Sequence, residues 1–286
     1  MKNHLDDSLI KRYHSQGYLA PLDVFSQDEV LQLNTQLGEF QKRIGGQLAG
    51  RFNQKSHLLC PWINRVVRDP RILDRVESLL GPNLMCWSSQ FFSKNAHDPA
   101  YVGWHQDGNY WGLSSNEVLT AWIAFTPSTI ESGCMMVVPG THHQVVEHED
   151  LFIEHNMLSR GQEIAVRVKD QDKVPLELQP GQMSLHHVLI HHGSDPNQSD
   201  FPRTGFAIRY IPTHIRQLCE IKGSALLVRG RDDFGHFRLE TDPSGDFDEA
   251  ATIQHQQVLD RQLKILYAGS KQAGKLNALL NKPTSP

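Results

Sequence analysis

His105 and Asp107 stand two residues apart in the stretch YVGWHQDGNYWGL, residues 101–113. If that stretch is extended, both side chains leave the same face. An imidazole beside a carboxylate supplies two thirds of a facial triad, the ligand set of non-haem Fe(II) oxygenases. In a chain with 16 histidines the same pair is also what a partly buried histidine held by a neighbouring aspartate looks like. A third ligand from elsewhere in the chain has to separate the two readings.

Candidates for it lie in LHHVLIHHGSDPNQSDFPRTGFAIRY, residues 185–210, which holds four histidines. If 182–192 is one extended strand, His186, Val188, Ile190 and His192 share a face, and His187, Leu189 and His191 share the other. One ligand from this strand completes a triad, so most of these histidines do something else. His192 stands at the strand end, before the turn Gly193-Ser194-Asp195-Pro196-Asn197, where sandwich and barrel proteins present their chemistry. Arg203 opens the next strand, with Gly205, Ala207 and Arg209 on its face and Thr204, Phe206, Ile208 and Tyr210 on the other. Small residues beside an arginine leave room for something. An inward arginine needs an anion, because an unpaired buried charge is costly. That anion is either a ligand carboxylate gripped through two parallel hydrogen bonds or an acid of the chain itself.

The elements that must position these residues change character along the chain. Residues 1–82 read as helical support. Ser26-Gln27-Asp28-Glu29 has the form of a capping box, followed by Val30, Leu33, Leu37, Phe40 and Ile44 at helical spacing. Asp69, Pro70 and Gly81 frame a second helix with Ile72, Val76 and Leu79 as its stripe. From there, β-forming runs alternate with turn signals. Strands are expected over 85–93, 102–107, 118–125, 134–138, 163–168, 174–178, 182–190 and 204–212. A short helical insert is expected over 151–161. A strand-rich core over 83–212 is followed by a lid segment and helix over 213–270, the helix striped by Ile253, Val258, Leu263 and Leu266. Short strands without intervening helices favour an antiparallel sandwich or barrel over a parallel sheet. The charged turn Leu227 to Asp233 is expected to be solvated or to lie over a pocket mouth. No linker divides the chain, so residues 1–286 are read as one domain, mainly β with flanking helices.

Composition sets the outer limits. Apolar content of 39% and charged content of 21% are those of a globular protein. A net charge of −4 with interspersed signs leaves no footprint for nucleic acid or an anionic membrane. No apolar run reaches membrane-spanning length, and the N-terminus lacks a signal-peptide pattern. Cys60, Cys86, Cys134 and Cys219 are widely spaced and read as free thiols in a reducing compartment, so a cytoplasmic location is expected.

Taken in order, W-H-Q-D-G, T-A-W-I-A, E-S-G-C-M-x-V-x-P-G-T-H, H-G-S-x-P-N and an arginine eleven residues after that last histidine resemble the phytanoyl-CoA dioxygenase family. The resemblance runs from about residue 17 to the closing helix. It implies an Fe(II)- and 2-oxoglutarate-dependent oxygenase on a double-stranded β-helix, a jelly-roll or cupin-like core. Carried over residue by residue, it implies His105, Asp107 and His192 as iron ligands and Arg203 as the partner of the distal carboxylate of 2-oxoglutarate. Ser194 would assist, and Trp122 and Gln90 would contact the cosubstrate, with Lys94 and Arg51 as further contacts. Asn109, Tyr110 and Trp111 are expected in the substrate wall. The implied reaction consumes O2 and 2-oxoglutarate, gives succinate and CO2, and draws on ascorbate as a possible reductant. Because Asp107 is retained where related halogenases carry a small residue, hydroxylation is expected. Bacterial members suggest a small polar substrate: an amino acid, a compatible solute, an aminoalkylphosphonate or a natural-product intermediate. A hydrolase or isomerase holding Zn(II) or Mn(II) on a cupin-like barrel, and a non-catalytic binding homologue, are the competing readings. The first has no need for Arg203 at its offset, and the intact set of His105, Asp107, His192 and Arg203 argues against the second. Oligomeric state is left open by the sequence.

Overall fold

Two sheets, almost wholly antiparallel, carry the core of the computed structural model, which describes residues 3–150, 155–158, 162–165 and 167–267. The chain enters through α1 (Asp7–Gln16), β1 (Tyr18–Asp23), α2 (Gln27–Arg43), α3 (Pro61–Val67) and α4 (Pro70–Leu80). The Ser26 capping box forms: Glu29 N–H donates to the Ser26 hydroxyl at 3.4 Å and Ser26 N–H to the Glu29 carboxylate at 2.7 Å. Asp69 caps α4, Pro70 opens it and Gly81 follows its end, as their order indicates.

The strands are β2 (Leu84–Lys94), β3 (Val102–His105), β4 (Leu119–Ala124), β5 (Met136–Val138), β6 (His148–Asp150), β7 (Gln162–Ile164), β8 (Val174–Pro175), β9 (Gln182–His187), β10 (His191–Ser194), β11 (Arg203–Pro212), β12 (Ser224–Arg229) and β13 (Arg238–Leu239); α5 (Glu249–Tyr267) closes the described chain. The larger sheet runs β1-β9-β4-β11-β2-β12-β13 and the smaller β3-β10-β5-β8, with β6 and β7 paired apart from both. This is the expected jelly-roll.

Alternation along β4 and β11 explains why both strands are buried throughout. Leu119, Ala121, Ile123, Phe206, Ile208 and Tyr210 pack outward against the helices, in a core shared with Trp62, Ile72 and Val76. Thr120, Trp122, Ala207 and Arg209 face inward onto a cavity. Across that inner face the register forms rows: Ser88 (β2), Arg209, Thr120 and His186 (β9), then Gln90, Ala207, Trp122 and Ser184. A bulge keeps β2 in this pattern. Arg209 pairs with Ser88 but Tyr210 with Cys86, so Trp87 is the extra residue, and it too reaches the cavity.

Several boundaries differ from the sequence expectation. The strand read as 182–190 stops at His187; the chain turns at 188–190, and His191 starts a new strand in the other sheet. The strand read as 102–107 ends at His105, and Asp107 opens a single 3-10 turn, Asp107–Tyr110. The strand expected over 163–168 is the short β7. Leu227, Val228 and Arg229 finish β12, and Arg229 is clamped by Asp74 at 2.8 Å and Glu77 at 2.6 Å, so this stretch is not over the pocket. In α5, Ala251, Val258 and Leu259 are buried while Ile253 is exposed. The insert expected over 151–161 falls mostly outside the described residues. Strand β1 was not expected; Pro21 lies in it at the edge of the sheet, where a missing N–H is tolerated. All four cysteines are free, and among the described residues no helix is long and apolar enough to cross a membrane.

One buried ionic cluster joins the sheet to the segment beneath the cavity. Lys55 and Glu240, both almost wholly buried, form an ion pair. Ser224 Oγ donates to Glu240 at 2.8 Å, Lys55 Nζ to Ser224 O at 3.1 Å, and His57 Nε2 meets the other carboxylate oxygen at 3.4 Å. Burial alone would raise the Glu240 pKa; the Lys55 charge and His57 bring it down to about 2. A depressed carboxylate contributes stability above its unfolded value near 4.5 and loses it as pH falls toward 2. Glu240→Gln is therefore expected to cost about 3–5 kcal/mol at neutral pH, since it leaves Lys55 charged and unpaired. Unfolding measured from pH 7 to 2 should show the wild type losing that advantage below pH 4.5, with the two proteins converging.

Candidate active site

Strand pairing brings the first histidine to the third ligand. His192 lies directly opposite His105 in the β10–β3 pair, and their ring centroids are 4.1 Å apart. Each ring is pinned by its own strand: His105 Nδ1 donates to Gly103 O at 2.9 Å and His192 Nδ1 to Ile190 O at 3.0 Å. A carbonyl only accepts, so both Nδ1 atoms carry the proton and both Nε2 atoms are free to ligate. Gln106 continues extended beyond β3, which lets the Asp107 carboxylate come to 3.4 Å from His105 Nε2. One ligand atom from each of the three residues lies within 4.8 Å of the others.

The electrostatics suit a cation. Burial would raise the Asp107 pKa, but the His105 ring beside it and the charge of Arg209 hold it below the usual carboxylate range. Burial, and the neighbouring His105, hold His192 well below the ordinary histidine value and so neutral. Two neutral imidazoles and one carboxylate, gathered on one wall of a cavity of about 870 Å³, fit a divalent iron with one side left open.

Arg203 reaches the same cavity from the larger sheet. It is 3% exposed, donates from Nη2 to Gly133 O at 2.6 Å, and leaves Nε without a partner. Its guanidinium carbon sits 5.4 Å from the centre of the Trp122 ring. Burial pushes it down to about 10, and no acid of the described residues forms an ion pair with it. The glycine of the E-S-G motif is explained here. Gly133 has φ 69°, and a Cβ on it would stand 2.2 Å from Asp195 O, so only glycine lets the arginine's carbonyl partner approach. Ser194, Gln90 and Trp122 all line the cavity.

Lys94 is placed differently from expectation. Its ammonium is directed to the Ser194 hydroxyl at 2.7 Å and to the carbonyls of Ser194 and Asp195, and it does not line the cavity. It fixes the loop between β10 and β11. Arg51 stands at the cavity edge in an ion pair with Asp260 at 2.8 Å, tying the segment before Lys55 to α5. Trp111 lines the cavity against Trp87, ring centroids 4.9 Å apart. Asn109 and Tyr110 have their backbone in the turn after Asp107, but their side chains lie outside the described residues. His186 faces the cavity with its ring 5.2 Å from His192, whereas His187 packs toward His142 and Tyr13.

Sequence reasoning passed over Arg209, Thr120 and most of the far wall built by residues 49–54 and α5. For Arg209 the signal was available: it shares Arg203's face of β11. Of the far wall only Arg51 was singled out, as a cosubstrate contact; Leu263 read as part of a helix stripe, and nothing marked Leu259 or Ile265.

A family model described as phytanoyl-CoA dioxygenase matches residues 13–205. The chain belongs to the phytanoyl-CoA dioxygenase family. It is a non-haem Fe(II)- and 2-oxoglutarate-dependent dioxygenase. A Stutzerimonas stutzeri protein described as "Probable alpha-ketoglutarate-dependent hypophosphite dioxygenase" is 28% identical over 219 residues, covering 74% of each chain. Among solved structures, a "non-heme monooxygenase; ThoJ apo" superposes with TM-score 0.82 at 33% identity, over 92% of this chain and 99% of that one. "CytC3 with Fe(II) and alpha-ketoglutarate" superposes with TM-score 0.67 at 25% identity, over 87% and 98%. Membership of this family sets aside the hydrolase, isomerase and non-catalytic readings.

Gly205 supplies a sharp test of the cavity's shape. A Cβ there would lie 1.9 Å from the Trp122 ring. Gly205→Ala should expel that ring from Arg203, weaken 2-oxoglutarate binding by about tenfold or more, and shift tryptophan fluorescence in a protein that still melts cooperatively.

Proposed function

We propose that His105, Asp107 and His192 hold the iron and that Arg203 takes the distal carboxylate of 2-oxoglutarate. Convergence of three ligand atoms opposite a buried arginine with no acidic partner carries this reading. The Trp122 ring and Gln90 flank the cosubstrate, and the Ser194 hydroxyl, oriented by Lys94, completes the grip on it. The bound iron, 2-oxoglutarate and O2 supply the oxidant that removes a substrate hydrogen and returns a hydroxyl, leaving succinate and CO2.

The protein's own share is placement and exclusion of water. The two Nδ1–H···O=C bonds fix ring orientation, so both Nε2 atoms are presented before metal arrives. Trp87, Trp111 and the apolar side of α5 surround the space beside the triad, where the C–H to be attacked must sit. The reaction is hydroxylation of an unactivated C–H of a small-molecule metabolite, by one domain comprising the whole chain, in the cytoplasm.

Adding Fe(II) and 2-oxoglutarate anaerobically to the metal-free protein should give a weak visible metal-to-ligand charge-transfer band. His105→Ala, Asp107→Ala and His192→Ala should lose the band and succinate release while melting near the wild-type temperature. Arg203→Ala should raise the 2-oxoglutarate requirement by about tenfold or more, the loss of a charge-assisted bidentate contact. An Asp107→Ala enzyme that turned over at the wild-type rate would sink the ligand assignment.

A further inference from the structure

The inner face of the larger sheet holds a second buried arginine that the assignments above leave without a partner. Arg209 lies six residues beyond Arg203 on the same face of β11, about 20 Å along the strand. It is 8% exposed, and its Nε has no hydrogen-bond partner. Among the described residues its one side-chain hydrogen bond runs from Nη1 to Gln90 Oε1 at 3.5 Å, at the long limit for such a bond. Among the described residues no carboxylate forms an ion pair with it. Asp107 is near enough to act on it through its charge, but a carboxylate that ligates a divalent cation no longer neutralises a neighbour.

The groups in register with Arg209 are unsatisfied as well. Thr120, its partner on β4, has a buried hydroxyl with no partner; His186, opposite Thr120 on β9, has a buried Nδ1 with none. Three orphaned polar atoms in one row, all lining the cavity, would each cost about 1–3 kcal/mol if nothing filled the space before them. On the reading proposed above, the cosubstrate would not: of its two carboxylates, one would be used at the metal and the other at Arg203.

We infer that the row Arg209–Thr120–His186 receives an anionic group of the primary substrate, a carboxylate in the simplest case, with the substrate's apolar body lying between Trp111 and α5. This deepens the reading under Proposed function and rests on it. The guanidinium is framed by the Trp111 and Phe92 rings, 5.3 and 5.8 Å from its carbon, which leaves its donor edge for an in-plane oxyanion. Phe52, Trp87, Leu259, Leu263 and Ile265 form the apolar part of the wall, beside the polar Ser88, Asn53, Gln54 and Gln262. A charged floor beside an apolar patch suits an organic acid with an apolar body.

The test uses the full-length protein loaded with Zn(II) and N-oxalylglycine, so that Arg203 is engaged and no turnover occurs. Phenylacetate, 4-phenylbutyrate and decanoate are each titrated calorimetrically against the matching primary amide. At least one acid is expected to bind about tenfold or more tightly than its amide, and Arg209→Gln should bring the acid down to the amide while leaving N-oxalylglycine affinity unchanged. Thr120→Val, which keeps the volume, should reduce the same preference, and Arg209→Lys should retain part of it; these two carry the test if Arg209→Gln does not fold. No acid preference in any pair overturns the inference, as does a preference that survives Arg209→Gln. A preference that appears only without N-oxalylglycine also overturns it, by assigning the anion to Arg203. Loss of Zn(II) or N-oxalylglycine binding in Arg209→Gln would make the arginine a support for Asp107 instead. Failure of the wild type to bind N-oxalylglycine at all would instead strike the cosubstrate assignment, an outcome read before any Arg209 variant is made.

Discussion

Two imidazoles held side by side across an antiparallel strand pair are the constraint from which the rest of the site follows. Directly opposed residues in such a pair have no freedom to separate, so fixing His105 on β3 fixes His192 on β10. The two rings cannot both be protonated on Nε2 at this spacing, because two buried cations would repel. Neutral rings are what burial enforces on His192, and what a metal requires. The remaining ligand is brought by the chain leaving β3 into a 3-10 turn, which folds Asp107 back toward His105.

With the metal side set by the small sheet, the large sheet supplies the opposite charge. Its inner face presents buried guanidinium groups and almost no acid, and the Asp107 carboxylate on the facing sheet is held ionised within this field. A cavity of that composition is incomplete alone. Cation binding at the triad uses the carboxylate, and anions must then answer the arginines. The site is therefore built to be assembled from several charged components, each of which makes room electrostatically for the next. Outward, the same strands are apolar and pack on the helices, so the stability of the fold is supplied on the face that takes no part in chemistry.

How much of this was legible in the sequence depended on whether a local rule governed it. The spacing of His105 and Asp107, the capping box at Ser26, the framing of α4 and the two faces of β11 each follow from chain geometry over a few residues, and each is present. The division of β9 from β10 was not legible. The turn Val188-Leu189-Ile190 contains neither glycine, proline nor a polar turn former, because Val188 and Leu189 are buried beneath Gly108 and Trp111, where a turn still has to be apolar. Tertiary packing overrode the turn code there. As a result the predicted sharing of a face by His186 and His192 rested on the wrong geometry, although the two rings do meet across the sheets. The bulge at Trp87 was illegible for a related reason: a one-residue slip is defined only by the partner strand.

The far wall of the cavity argues that reaction class and substrate choice are carried by different parts of the chain. Triad, Arg203 and Trp122 all lie within residues 13–205, the span shared with the family. Helix α5 lies beyond that span, and it is drawn onto the cavity by contacts with residues 51–54. Arg51 pairs with Asp260, the Phe52 and His255 rings stack nearly parallel with centroids 6.3 Å apart, and His255 Nε2 donates to Gln54 O at 2.8 Å. Residues 50–54 are held from the other side by Lys55, committed to Glu240 in the buried cluster. An ion pair that is hard to replace thus anchors the chain directly after the lining residues 49–54. Substitutions in α5 alter which apolar groups meet the substrate without touching a metal ligand, whereas the anchoring of 50–54 is fixed by the cost of leaving Lys55 unpaired. On the proposed reading, the triad and Arg203 carry the oxidation, while α5, beyond the matched span, adds apolar groups to the wall that a substrate would meet.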